Sequence, residues 1–252
     1  MKGLPPDFWD ALPLGRGVRL LDHDGQGLAA FDKPAGVLSH PNRVADEPRS
    51  LLTCRYDAEQ QCFVWHDASG ADRRLWLLNR LDGATSGVIL AAASAALAAV
   101  IRQHFAKKQV RKTYMALVFG KPSERRATWR DLLAVEKAGG KIRTQAKSGS
   151  MPSVAEFEFV RHIGGALPVS LVRLDPLTGR SHQLRVQCAK RHLPIVGDQT
   201  YGDFARNRAW TKATGEKRLY LHSLETAFAY EMGGRRHEFS ARAPLPPEFP
   251  AH

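Results

Sequence analysis

The first feature of chemical interest in this 252-residue sequence is an acidic side chain set in a polar loop between two apolar runs. The loop reads Asn79-Arg80-Leu81-Asp82-Gly83-Ala84-Thr85-Ser86-Gly87. A strand delivers its first residues, and Gly83 with the Ser86-Gly87 pair turns the chain into the next strand. Such a loop holds one carboxylate rigidly, with the cation of Arg80 two residues away. An Asp-Gly pair often organises an ordinary turn, so the loop alone favours Asp82 as a turn residue over a functional carboxylate. A second stretch, DPLTGRSHQLR at residues 175–185, carries Arg180 and Arg185. Guanidinium forks bind a carboxylate or phosphate in bidentate fashion, but the stretch reads equally as a capped helix with solvated charges.

Short elements must position these groups. Residues 27–31 form a strand, with Lys33-Pro34-Ala35-Gly36 as the loop leaving it. Residues 40–72 are polar and irregular, with one helix candidate at 50–56. Strands at 75–78 and 88–92 flank the Asp82 loop, and Ser94 caps a helix running to about 108. The run GVILAAASAALAAVI at 87–101 is too short for a bilayer, which needs about 20 apolar residues. Residues 112–119 alternate as a strand, 121–150 form a basic hairpin or long loop, and 155–160 and 169–174 are paired strands. Ser181 caps a short helix to 192 whose early polar residues face outward, and strands at 219–222, 226–230 and 237–242 close the fold. Many hairpin strands with a few helices predict an α+β fold with a mostly antiparallel mixed sheet. No repeat or linker divides the chain, which gives an N-terminal arm (1–17), one catalytic domain (18–245) and a C-terminal tail (246–252).

Composition narrows the partner. Lys and Arg total 37 against 25 Asp and Glu, a net charge of +12. Such an excess suits a polyanion, because basic side chains displace condensed counterions from phosphates, although charge alone fits a basic surface equally well. The three cysteines, Cys54, Cys62 and Cys188, lack zinc-ligand spacing and suit a reducing cytoplasm. The start has no signal-peptide core. A nucleophile elbow, a phosphate-binding loop and a dinucleotide fingerprint are all absent from the sequence.

The segments taken together are far more specific. NRLDGATSG, then Lys112-Thr113-Tyr114 with its Tyr 32 residues after Asp82, then LTGRSHQLRV and Pro194-Ile195-Val196-Gly197-Asp198 follow one another in order. With Lys33-Pro34-Ala35-Gly36 ahead of them, they resemble the RluA family of RNA pseudouridine synthases over roughly residues 18–245. That resemblance implies the family's fold, with flanking helices and a central catalytic cleft, and isomerisation of specific uridines in structured rRNA or tRNA. It implies Asp82 as nucleophile, Tyr114 as the ring that stacks on the base and helps remove the C5 proton, and Arg185 as the cation paired with the aspartate. Attack at C1′, attack at C6 and assistance of a glycal route all fit the motif. It also implies that Arg80 fills the gap left by the extruded uridine; Lys112, from its basic segment, and Arg180, from its guanidinium, are expected as further substrate-binding cations. A stacked uridine hides the bonds that must break and form, so the nucleotide is flipped out.

The expected partner is therefore structured RNA, contacted by the basic segments 102–112 and 121–147, with no membrane, no metal and no cofactor, since isomerisation has no net redox change. A monomer in the cytoplasm is expected, of the subgroup without an S4 RNA-binding domain. Asn79 and Gln187 stand where the family usually or often has His. Asn79 is the main feature favouring the alternative, an inactive RNA-binding protein that retains the fold.

Overall fold

The computed structural model describes residues 4–138, 141–145 and 151–249, with side chains described for all of these but 135–145. They form two compact units, one from the described residues up to 110 with 225–244 and one from the described residues of 111–224 with 245–249.

The first unit opens with β1 (Arg19–His23) and β2 (Leu28–Lys33), followed by β3 (Arg55–Asp57), β4 (Cys62–His66), β5 (Asp72–Leu77), β6 (Ser86–Ala92) and helix α1 (Ala95–Ala106). All pairings here are antiparallel: β1 with β2, β3 with β4, β4 with β5, and β6 with β2 on one edge and β5 on the other. Every residue of β2 and β6 is buried, as a short continuous apolar run between turns predicts. Ser94 caps α1 as expected, its Oγ accepting from the Leu97 amide at 3.2 Å. Leu97, Ala98 and Ile101 then face a core that includes Val88 and Leu90.

Residues 40–72 are more ordered than the sequence suggested, and 50–56 is not a helix. A short 3-10 turn, Val44–Arg49, precedes that segment. Leu51 and Leu52 are neighbours and both are fully buried, which suits an extended chain better than one helix face. Their backbone bonds go elsewhere: the Leu51 amide to Leu38 O and the Gly15 amide to Leu51 O, each 2.8 Å. Tertiary partners thus override local propensity.

The second unit contains β7 (Arg111–Phe119), β8 (Arg126–Ala138), β9 (Lys141–Gln145), β10 (Met151–Ile163), β11 (Val169–Pro176), α2 (Gln183–Lys190) and α3 (Phe204–Thr214). Antiparallel pairing links them in the order β7-β11-β10-β8-β9. The basic stretch 121–150 is thus partly the expected hairpin, while 139–140 and 146–150 lie outside the described residues. Ser153, Ala155 and Phe157 point inward from β10 at period two.

Helix α3 had no counterpart among the sequence expectations. Two expected closing strands are one, β12 (Leu221–Met232), which pairs antiparallel with β13 (Arg235–Arg242) from Glu225 onward. Among the described residues thirteen strands accompany three α-helices, an α+β fold with mostly antiparallel pairing.

Candidate active site

Asp82 follows β5 in a loop whose backbone is held from several directions. The Leu78 amide bonds to Leu90 O at 3.0 Å, and Asn79 Oδ1 accepts from the Leu90 amide at 2.7 Å. A single hydroxyl serves the next buried residue twice: Ser39 Oγ accepts from the Leu81 amide at 2.9 Å and donates to Leu81 O at 2.7 Å. The Thr85 amide closes the turn onto Asp82 O at 2.9 Å. Gly83 fits because a Cβ there would come within 3.1 Å of the Leu38 side chain. Asp82 itself is half-buried and Arg80 exposed.

Lys33 explains why the Lys-Pro-Ala-Gly stretch accompanies this loop. Its side chain is fully buried, and Nζ donates to Pro34 O at 3.1 Å, Val37 O at 2.6 Å and Gly83 O at 3.2 Å. Gly83 O also accepts from the Gly36 amide at 2.7 Å. A buried ammonium needs such a set of carbonyl dipoles to offset lost hydration. Lys33 therefore clamps the backbone one residue past Asp82.

In the second unit α2 reverses the expected polarity. His182, not Ser181, takes the N-cap position, in the left-handed region with φ 54°, and makes no side-chain cap bond. The Gln183 side chain anchors the entry instead, its Oε1 accepting from Thr178 Oγ1 at 2.7 Å and from the Arg180 amide at 3.1 Å. Gln183, Arg185 and Gln187 are buried rather than solvated, because each has polar partners inside. Gln187 Nε2 donates to Asp131 at 2.9 Å, and Lys190 and Arg191 reach the same carboxylate at 2.7 and 2.9 Å.

Arg185 is gripped by Asp198 in a bidentate fork, Nε to Oδ2 at 2.7 Å and Nη2 to Oδ1 at 2.8 Å. Its guanidinium carbon lies 5.1 Å from the Tyr201 ring centroid. Burial works against ionisation of Asp198, but Arg185 and the amides of Tyr201 and Thr200 hold its carboxyl below the usual range. Gly197, at φ +78°, leaves no alternative in this turn, since a Cβ would overlap Arg218 O. Asn207 of α3 ties the turn down, with Nδ2 donating to Asp198 O at 2.9 Å and Oδ1 accepting from the Gly197 amide at 2.8 Å.

The six residues proposed from sequence divide between the units. Asp82 and Arg80 belong to the first; Lys112, Tyr114, Arg180 and Arg185 to the second. Tyr114 lies half-buried on β7 opposite Leu174, and Arg180 is exposed. Burial lowers the pKa of the Lys112 ammonium. Arg102, counted among the basic RNA-contacting residues, donates to Leu77 O at 2.8 Å, so part of its guanidinium is committed to the fold. Ser39, Asp198 and Asn207 had no assigned role; only Asp198 had a signal, its place in the Pro194-Ile195-Val196-Gly197-Asp198 motif. Among the described residues no group of three or more His, Cys, Asp or Glu could hold a metal, and no helix is long and apolar enough to cross a membrane.

The family model for RNA pseudouridylate synthase matches residues 27–190. The tRNA pseudouridine synthase C of Pasteurella multocida (strain Pm70) is 34% identical over 214 residues, covering 81% of this chain and 82% of that protein. The protein of the same name from Yersinia pestis is 32% identical over 231 residues, covering 87% and 84%. Among solved structures, human RNA pseudouridylate synthase domain containing 1 aligns with a TM-score of 0.66 at 23% identity, covering 93% of this chain and 86% of that one. Human RNA pseudouridylate synthase domain containing 4 aligns at 0.62 and 21%, covering 91% and 89%. The two human structures support the fold, and the family model together with the bacterial relatives shows that this chain belongs to the RNA pseudouridylate synthase family, enzymes that isomerise uridine within RNA.

Proposed function

We propose that this protein isomerises a uridine of transfer RNA to pseudouridine, with Asp82 as the nucleophile. The observation that carries the residue assignment is the clamped loop: Lys33, Ser39 and Asn79 fix the backbone on both sides of Asp82. A nucleophile needs that fixity, since a misplacement of about 1 Å costs roughly 100-fold in rate. The choice of tRNA rests on the bacterial relatives, both of which are tRNA pseudouridine synthases by name.

In the proposed reaction the N1–C1′ bond of the flipped uridine breaks and a C5–C1′ bond forms, while C5 loses a proton and N1 gains one. Tyr114 stacks on the detached base and assists removal of the C5 proton. Arg185, oriented by Asp198, keeps the nucleophile ionised. Arg80, Lys112 and Arg180 contact the RNA. Asn79, the residue behind the inactive alternative, has a positive role here, because its amide oxygen supplies an acceptor that a neutral imidazole would also supply. Three free cysteines, with the Cys54 thiol pushed up to about 12 by burial and Glu47, suit a reducing cytoplasm. We take the active form to be a single catalytic domain, monomeric and without a cofactor.

Tritium release from 5-tritiated uridine in tRNA tests the proposal, with rRNA in a parallel reaction. The parent protein should release tritium from tRNA and Asp82→Ala should not. Release from tRNA no higher than in the Asp82→Ala control would refute it.

A further inference from the structure

Helix α3 has one face committed to structure and one that is exposed among the described residues. Inward, Asn207 holds the Gly197–Asp198 turn, and Trp210 packs edge-on against Phe119 and Tyr220 with centroids 6.3 and 5.8 Å away. Arg206 lies over the Phe119 ring at 4.6 Å. The carboxylate of Asp203 is used at the N-cap, accepting from the Arg206 amide at 2.9 Å.

Outward, Phe204, Arg208 and Lys212 follow one another at four-residue spacing and are all exposed. Phe204 is the only aromatic among the exposed large hydrophobics of the described residues, at 51% exposure. Arg208 and Lys212 are like charges one turn apart, which is unfavourable for an isolated helix. Neither has an acidic partner among the described residues, and the helix itself contains no acid. A bound anion would relieve the repulsion, and an open ring beside two cations suits a nucleic acid: phosphates for the cations, an unstacked base for the ring. A lipid surface would use the charges but give the ring no stacking partner.

We propose that the outward face of α3, formed by Phe204, Arg208 and Lys212, is an RNA-docking surface of this enzyme. It rests on the tRNA assignment above and adds a binding element outside the basic segments visible in sequence. Its location has a mechanical consequence. Asn207 links the helix to Asp198, and Asp198 grips Arg185, so RNA held on α3 is held on the element that orients a proposed catalytic cation.

The test is binding of fluorescein-labelled tRNA by anisotropy across a salt series. Arg208→Glu with Lys212→Glu should raise Kd at least 10-fold and reduce the slope of log Kd against log salt by about two, near 0.9 for each phosphate no longer neutralised. Phe204→Ala should raise Kd by about 5-fold or more, as removal of a stacked ring requires. Arg235→Glu with Arg236→Glu makes the same charge change at exposed positions of β13 and should shift Kd less than 2-fold. A double α3 variant that binds within 2-fold of the parent overturns the proposal, as does a β13 control weakened equally. Thermal melts of each variant within 2 °C of the parent establish that folding is intact, and Phe204→Ala decides if the charge reversal fails that check. Tritium release by the parent separates the two levels. None from tRNA sinks the isomerase assignment, whereas release accompanied by unchanged α3 binding sinks only the surface.

Discussion

Removal of the Ser39 hydroxyl isolates the clamp on the Asp82 loop better than any larger change. Ser39→Ala deletes one atom, yet that atom satisfies both the amide and the carbonyl of Leu81, immediately before Asp82. Both residues are buried, so neither backbone group reaches water unless the loop moves. A buried group left without a partner costs about 1–3 kcal/mol, so the pair costs about 2–6 kcal/mol. At roughly 2–4 °C per kcal/mol for a chain of this size, the melting temperature should fall by about 4–24 °C. Should the loop shift to admit water, stability recovers and geometry is lost, with a rate penalty of roughly 100-fold per ångström. Single-turnover tritium release and a thermal melt on the same preparation measure both arms. A melting temperature within 1 °C of the parent together with a rate within 2-fold would refute the clamp.

Further predictions concern the charges. Asp82→Asn should abolish product while leaving the melting temperature and RNA affinity near those of the parent; turnover near the parent rate contradicts the nucleophile assignment. Asp198→Asn strips the counter-charge from a buried guanidinium and should cost about 3–5 kcal/mol in denaturant titrations, since the partner is left uncompensated. An unchanged midpoint would show that Arg185 does not depend on Asp198. Acid should also destabilise the fold. Burial opposes ionisation of Asp131 and Asp198, but hydrogen bonds from Lys190, Gln187 and Arg191 to the first, and from Arg185 to the second, lower both pKa values. The stabilisation is therefore complete above the ordinary carboxylate range near pH 4 and is lost as pH falls through the folded values. Melts from pH 7 to pH 3 should show this loss, and Asp131→Asn with Asp198→Asn should flatten it.

Sequence made the strands around Asp82 legible because their residues face an unbroken apolar environment; a run such as Val88-Ile89-Leu90 has one reasonable fate. The Ser94 cap was readable for a similar reason, its signal being local. What escaped was non-local. Leu51 and Leu52 look helical until Leu38 and Gly15 claim both backbone groups of Leu51. Gln183, Arg185 and Gln187 read as a solvated face, since no periodicity announces that Asp131 and Asp198 wait inside to receive them. Helix α3 escaped because its inward residues, Asn207 and Trp210, are one polar and one aromatic rather than an aliphatic stripe. The family motifs named Asp82, Tyr114 and Arg185, yet left the supporting Ser39 and Asn207 invisible, since a lone Ser or Asn carries no signature until its partners are placed.

The chain's return to its first unit late in the sequence constrains the order of assembly during synthesis. The core beneath α1 draws on Phe228, Tyr230, Phe239, Ala241 and Ala243, and Tyr230 donates its hydroxyl hydrogen to Asp24 across 206 residues of chain. The other core in turn includes Phe249. A ribosome that has translated through α3 has therefore made every residue of the Asp82 loop and of the Arg185 fork, but has completed neither core. Long-range closure of this kind slows folding and leaves apolar strands uncovered until the final stretch emerges. Loss of the last few dozen residues, none of them proposed to touch substrate, would thus leave both the Asp82 loop and the Arg185 fork without completed cores beneath them.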